Sequence, residues 1–172
     1  IGTGPLLVGI YKGYRELMRM GLINRLPKMI GVQSEQCMPI VTAFEGNSDH
    51  VNYWKEDVHT AAGGIADTLF GYEQDGELTL QTVRSSGGAM VSVSEQQLLN
   101  ATDILGQKEG LYCEPTGAVP LAGVKKLYDL GRIQKGASVI LLLTGHGFKY
   151  TGRKQGSIFP YQGITTVKNL LN

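Results

Sequence analysis

Two short segments of this chain have residue types and spacings that could bind a ligand. The first is the glycine loop Gly2-Thr3-Gly4, which is followed directly by a predicted helix. Such a loop offers backbone N–H groups at the positive end of the helix dipole, a common arrangement for binding phosphate. The second segment, Thr144-Gly145-His146-Gly147, follows an apolar run. For the loop, phosphate binding and simple turn geometry are both open interpretations at this point.

Several side chains near these segments have both a chemical and a structural interpretation. The Thr144 hydroxyl could cap its own turn or hydrogen-bond a ring nitrogen of a ligand. His146 could be an acid or base in catalysis, or a structural histidine between two glycines. Glu114 stands at a predicted helix start, where a carboxylate complements the helix dipole, so a structural role is the simpler interpretation. The segment Ser85-Ser86-Gly87-Gly88 is either a connection or a binding loop, and a connection is the simpler interpretation.

The glycine loop is also compatible with dinucleotide binding. Gly2 and Gly4 are followed by Gly9, and Glu35 comes after the next predicted strand, where it could meet a ribose hydroxyl. Pro5 has no backbone N–H and removes one donor from any phosphate cradle. A non-catalytic dinucleotide-binding or ligand-sensing α/β module is therefore an alternative from a different functional class. A purely structural fragment is the third possibility.

The elements that must position these residues alternate between helices and strands. Leu7, Ile10 and Tyr14 recur at three to four residues and predict a helix that ends near Gly21. Further strands are predicted at 27–33, 89–93 and 137–143, helices from Pro39, from the capping box at Ser94 to about Gly110 and from Pro115 to Gly131, and loops with short helices at 45–77, broken at Gly63-Gly64 and Asp75-Gly76. This alternation predicts an α/β fold with an open, mostly parallel sheet flanked by helices.

The apolar run at 137–143 determines where Thr144 should lie. The run is shorter than the roughly 18 to 20 residues that a membrane span needs, and it is typical of a central parallel strand. Open α/β sheets bind ligands outside the carboxyl ends of their strands. Thr144 and the glycine loop are therefore predicted to line one crevice.

Composition restricts the class of protein. The 172 residues, 42% of them hydrophobic, are enough for one domain with a core. A formal charge of +1 gives no bulk electrostatic reason to expect nucleic acid or a membrane as partner. Cys37 and Cys113 have no metal-ligand spacing, so we predict no metal site and a reducing compartment, the cytoplasm. The sequence begins at Ile1 with no strand before the glycine loop, so we expect a C-terminal portion of a longer protein, with a trimmed small domain and a plastid location as alternatives.

Five segments along the chain form an ordered pattern. They are Gly2-Thr3-Gly4, 27–32, 86–93, 114–118 and 143–149. This ordered set resembles the C-terminal half of the threonine synthases, within the tryptophan-synthase-β-like family of pyridoxal-phosphate enzymes. The resemblance implies that residues 1–149 are the C-terminal part of a pyridoxal-phosphate-binding α/β domain, as in the large domain of fold-type-II enzymes. Residues 150–172 are then a C-terminal extension.

The resemblance implies a pyridoxal 5'-phosphate site with contacts from two places. Backbone N–H groups of Gly2, Thr3, Gly4 and Leu6 would bind the cofactor phosphate, and Thr144 would contact the pyridine nitrogen. A hydroxyl at that position leaves the ring nitrogen largely unprotonated and moderates the electron sink. The sequence departs from the family at Thr3 and Leu6, where threonine synthases often have asparagine.

The resemblance also implies that no catalytic residue lies in this chain. In the family, the lysine that forms a Schiff base with the cofactor lies in a Ser-x-Lys-x-Arg-like segment of the N-terminal half, and no lysine here has that setting. The chain alone is therefore expected to be inactive. The complete enzyme would convert O-phosphohomoserine and water to threonine and phosphate, as a homodimer that includes the missing N-terminal half. Cysteate synthase and serine/threonine dehydratase are the close enzymatic alternatives.

Overall fold

The computed structural model describes residues 1–150, in which helices and strands alternate. The helices are Pro5–Arg19 (α1), Pro39–Glu45 (α2), Glu73–Ser85 (α3), Glu95–Glu109 (α4) and Pro115–Asp129 (α5), the strands are Ile30–Ser34 (β1) and Ala89–Val93 (β2), and short 3-10 turns occur at Gly63–Ile65 and Gly147–Lys149. The predicted α/β class is confirmed.

The two strands form a parallel pair between two layers of helices. Val32 of β1 lies opposite Val91 of β2. On one face, Val32 and Val91 pack with apolar residues of α4 and α5. On the other face, Met90 packs with residues of α1, α2 and α3, including Leu80. The parallel pair is therefore covered on both faces, which is the usual environment of parallel strands.

Helix starts follow the signals in the sequence. Proline occupies the first turn of α1, α2 and α5, where its missing N–H costs no helical hydrogen bond. Ser94 and Gln97 form a complete capping box at the start of α4, and Gly110 ends that helix in a left-handed conformation. Glu114 is the N-cap residue of α5, in agreement with its structural interpretation. These three prolines and the capping box set the directions in which the chain leaves the sheet.

The prediction of a break at Asp75-Gly76 was wrong, because both residues lie in the first turns of α3. Gly76 is buried there, and a Cβ on it would come within 2.7 Å of Leu69 Cδ1. The close contact between the helix backbone and Leu69 explains why a glycine lies inside a helix. Tertiary packing has overridden the weak helix propensity of glycine.

The predicted strand at 137–143 is not formed in the described part of the chain. These residues have no regular secondary structure, and Ile140 is 74% exposed. A strand needs a neighbour for its backbone hydrogen bonds, and the only strand pairing among residues 1–150 is that of β1 with β2. Leu130, which was predicted to face inward at the end of α5, is also exposed.

The predicted division at residue 149 stays a prediction, since residues 151–172 of the proposed extension lie outside the described residues. Among residues 1–150, no helix combines the length and apolar character that a membrane crossing requires.

Candidate functional site

The glycine loop is anchored by two buried side chains. The Gln33 amide nitrogen, Nε2, donates to the carbonyl oxygen of Gly2 at 3.3 Å, and the Thr79 hydroxyl donates to the carbonyl oxygen of Thr3 at 2.7 Å. Gly4 has a φ of 99°, in the left-handed region that favours glycine, and a Cβ on it would overlap the Thr79 side chain. The loop conformation therefore requires glycine at position 4.

The loop continues directly into α1 and presents the free amide groups of a helix start. The first helical hydrogen bond runs from the Val8 N–H to the Gly4 carbonyl at 3.1 Å. The amides of Leu6 and Leu7 precede that hydrogen-bond ladder, and Pro5 contributes no N–H. These amides and the positive end of the α1 dipole fit a bound phosphate group.

Thr144 is positioned by the start of α5. The Glu114 N–H donates to the carbonyl oxygen of Gly145 at 3.1 Å, and the Cys113 thiol donates to the same oxygen at 3.1 Å. An isolated antiparallel bridge joins Cys113 to His146. Thr144 itself is exposed, one residue before this attachment.

A cleft with a volume of 1520 Å³ lies between the glycine loop and the segment that contains Thr144. Its lining includes all five residues predicted to contact the cofactor, namely Gly2, Thr3, Gly4, Leu6 and Thr144. The start of α1 and residues 21–30 form one side, and α5 with residues 137–142 forms the other. The Ile1 nitrogen donates to the Val32 carbonyl, so the loop begins beside the edge of β1. The crevice predicted from the sequence is therefore present.

The family model of pyridoxal-phosphate dependent enzymes matches residues 1–145. The chain belongs to this family. Among curated proteins, the chain is 33% identical to the threonine synthase of Methanocaldococcus jannaschii and 34% identical to that of Methanosarcina acetivorans, in each case over 149 residues. These matches cover 87% of the chain and 36% of each relative, so the chain spans little more than a third of their length. The predicted resemblance and its pyridoxal phosphate cofactor are confirmed.

Solved structures place the same fold in other pyridoxal-phosphate enzymes. The T.th. threonine deaminase has a TM-score of 0.65 and 25% identity, and the match covers 91% of this chain and 49% of that one. Maize serine racemase has a TM-score of 0.57 and 18% identity, and the match covers 78% of this chain and 36% of the racemase chain. The fold assignment to fold-type-II enzymes rests on both.

Within this pyridoxal-phosphate family member, other residues with predicted chemical roles lie away from the cleft lining. His146 accepts a hydrogen bond from the Phe148 N–H through Nδ1 and stacks on the Phe148 ring. Glu35, considered for a ribose contact, forms an ion pair with Lys126 at 3.0 Å. Neither His146 nor Glu35 lines the cleft. The arrangement thus gives no support to the acid-base role of His146 or to the dinucleotide role of Glu35.

The segment at 85–88 is a connection between α3 and β2. The Ser86 hydroxyl accepts from the Met29 N–H at 2.9 Å and donates to the Val83 carbonyl at 2.7 Å. A Cβ on Gly88 would overlap the Met29 backbone, so the segment packs closely against the residue before β1. Its hydroxyl and glycines serve this packing, as the simpler interpretation predicted.

Sequence reasoning missed Gln33 and Thr79, the two side chains that hold the loop. Both are fully buried. The signal for Gln33 was a single amide side chain inside an otherwise apolar strand. Thr79 gave no usable signal, because it lies in the region predicted as loops that became α3.

A carboxylate also borders the cleft below Gly2. Asp67 lines the cleft, and its Oδ1 accepts from the Leu69 N–H at 3.0 Å and the Tyr72 O–H at 2.8 Å. The Cys37 thiol donates to the Asp67 carbonyl at 3.1 Å. Burial, with a smaller contribution from the negative charge of Asp67, raises the pKa of Cys37 to about 11. Cys37 is therefore a protonated structural thiol near neutral pH.

Proposed function

We propose that this chain supplies the phosphate cradle and the ring-nitrogen contact of a pyridoxal-phosphate-dependent enzyme of threonine-synthase type. The single observation that carries the proposal is that Gly2, Thr3, Gly4, Leu6 and Thr144 all line one cleft. The complete enzyme would convert O-phosphohomoserine and water to threonine and phosphate. The two threonine synthases that share about a third of their residues with this chain support that reaction.

The residues of this chain would bind and orient the cofactor. Backbone amides of the glycine loop and the start of α1 would hold the phosphate, and the α1 dipole would favour its negative charge. The Thr144 hydroxyl would hydrogen-bond the pyridine nitrogen without giving it a full positive charge. When bound, pyridoxal phosphate supplies an electron sink for negative charge that develops on the substrate carbon beside the amino group.

The remainder of the enzyme would cover the cleft. The volume of 1520 Å³ exceeds the roughly 300 to 1,000 Å³ of typical small-molecule pockets, so the cofactor would not fill it. Leu6, Leu22, Ile140 and Leu142 line the cleft and are 58%, 64%, 74% and 44% exposed. Contiguous apolar surface of this kind marks a site of association. We propose that further polypeptide, corresponding to the part of the relatives that this chain does not match, packs there and contributes the Schiff-base lysine.

A serine/threonine dehydratase is the second candidate. The specific observation in its favour is the similarity to the T.th. threonine deaminase, which has a TM-score of 0.65. Both candidates require the same cofactor contacts from this chain. They differ in the substrate that the completed site would accept, O-phosphohomoserine for the first and threonine or serine for the second.

The test is a titration of the purified chain with pyridoxal phosphate, followed by visible absorbance and fluorescence. We expect Thr144→Val to lower the affinity for pyridoxal phosphate about five- to tenfold, which corresponds to one lost hydrogen bond. Inorganic phosphate should bind to this variant as it binds to the parent chain. Thr144→Ser is the matched control, since it keeps the hydroxyl and should retain the affinity.

Lys28 needs its own control because it is exposed and lines the cleft. An absorbance band that disappears in Lys28→Met would come from an adduct of this lysine and not from a catalytic site. Release of phosphate from O-phosphohomoserine by the 172 residues alone would contradict the proposed inactivity of the chain. Binding of a nicotinamide dinucleotide in place of pyridoxal phosphate would contradict the proposed function as a whole.

A further inference from the structure

We propose that Gln33 and Thr79 are positioning residues that orient the glycine loop for phosphate binding, an inference that rests on the cofactor role proposed above. Neither residue lines the cleft, and both are 0% exposed. Both contacts are made to carbonyl oxygens of the loop, those of Gly2 and Thr3. They therefore act on the side of the loop that faces away from the cleft.

The direction of the loop N–H groups follows from the planarity of the peptide bond. No cis peptide bond occurs among residues 1–150. In a trans peptide, the carbonyl of Gly2 and the N–H of Thr3 point in opposite directions, and so do the carbonyl of Thr3 and the N–H of Gly4. Because buried side chains hold both carbonyls, the N–H groups of Thr3 and Gly4 are directed to the opposite side, toward the cleft that these residues line.

Gln33 has a second set of contacts that fixes its own orientation. Its Oε1 accepts from the N–H groups of Ile40 and Val41, both at 3.0 Å, in the first turn of α2. An amide oxygen that faces two N–H donors leaves the amide nitrogen to donate on its other side, where the Gly2 carbonyl lies. Gln33 thus joins the glycine loop to α2, and its rotamer is set by helix geometry before any ligand binds.

A purely structural role for these contacts would affect stability and leave phosphate binding unchanged. Thr79→Val removes one hydroxyl with little change in shape. Thr82→Val is the matched control, because Thr82 is a buried threonine of the same helix whose hydroxyl donates to the Leu78 carbonyl within α3. If Thr79 is a positioning residue, only Thr79→Val weakens binding of inorganic phosphate and of pyridoxal phosphate, by about five- to tenfold. Thr79→Ser keeps the hydroxyl and should restore the affinity.

The amide signals of the loop give a readout that does not depend on activity. In a ¹⁵N–¹H correlation spectrum of the full chain, inorganic phosphate should shift the amide signals of Thr3 and Gly4. Thr79→Val should reduce the phosphate-induced shift most at Gly4, whose N–H is opposite the released carbonyl. Gln33→Met should reduce it most at Thr3. This variant provides a second test if Thr79→Val does not fold.

The outcomes separate the two proposals. If the parent chain shows the shifts, and Thr79→Val binds phosphate as tightly as Thr82→Val does, the positioning role is wrong while the cofactor role stands. If the parent chain shows no shift at Thr3 or Gly4 with either phosphate or pyridoxal phosphate, the cradle and the positioning role are both wrong. Weakened binding in Thr79→Val alone, with rescue by Thr79→Ser, supports the inference.

Discussion

The glycine loop and the segment at 137–144 border the same cleft, yet they are held in different ways. The loop carbonyls are bonded to two fully buried side chains, Gln33 and Thr79. The segment at 137–143 pairs with neither strand, and Ile140 within it is 74% exposed. Its nearest attachment is at Gly145, whose carbonyl accepts from the Glu114 N–H and the Cys113 thiol.

This difference indicates which half of the proposed cofactor site the chain can build from its own described contacts. The phosphate side is supported from behind by α2 and α3, so its geometry exists before a ligand arrives. The ring side has an anchor after Thr144 and little packing before it. Regions with few buried apolar contacts open at a lower free energy than the core. We therefore expect the phosphate side to be preformed and the ring side to gain order when further polypeptide covers the cleft.

The largest expected effect compares the same truncation on the two sides. Leu80→Ala removes a fully buried side chain of α3 and should lower the free energy of unfolding by about 2 to 5 kcal/mol. Leu142→Ala truncates a side chain that is 44% exposed and should change it by less than about 0.5 kcal/mol. Chemical denaturation of both variants and the parent chain measures the difference. Equal losses would show that 137–143 is packed as firmly as α3.

Much of the fold could be predicted because its signals are local. The capping box at Ser94 and the prolines at the starts of α1, α2 and α5 act within one helical turn. The segment at 137–143 was predicted as a strand from its apolar character alone. Strand formation depends on a neighbour, and none among the described residues pairs with it. Local sequence cannot report whether that neighbour is present.

The candidate site shows the same division between local and long-range information. The positions of Gly2, Gly4 and Thr144 at one cleft followed from motifs and from the rule that parallel sheets bind ligands at the carboxyl ends of their strands. The contacts of Gln33 with Gly2, and of Thr79 with Thr3, join residues distant in sequence, so no local pattern encodes them. They became visible only when the three-dimensional arrangement was known.

A smaller effect is expected from alanine at one glycine on each side. Gly4→Ala places a Cβ against the buried Thr79 at a φ of 99°, so it should cost about 1 to 3 kcal/mol and weaken phosphate binding. Gly145→Ala meets the Glu114 side chain, which can rotate away because its end is flexible, so we expect less than about 1 kcal/mol. Thermal unfolding and phosphate titration of both variants check this. A greater loss in Gly145→Ala would reverse the proposed order of rigidity.

The smallest effect concerns the two cysteines, which lie on opposite sides. The Cys37 thiol donates to the Asp67 carbonyl near the glycine loop, and the Cys113 thiol donates to the Gly145 carbonyl near Thr144. In the single-cysteine variants Cys37→Ala and Cys113→Ala, a thiol reagent at about pH 8 should label Cys113 about tenfold faster than Cys37. That ratio corresponds to a difference of about 1.4 kcal/mol in the free energy of local opening.

The pH dependence of stability provides the control for this comparison. Burial raises the pKa of Cys37 from 9.0 to about 11, so the folded chain holds a proton on this thiol between those values while the unfolded chain loses it. The folded state then binds more protons, and the free energy of unfolding should fall as the pH rises from 9.0 to about 11. The fall should be absent in Cys37→Ala and present in Cys113→Ala. Its absence in both variants would mean that Cys37 is already open to solvent, and slow labelling of Cys37 could then not be attributed to a rigid phosphate side.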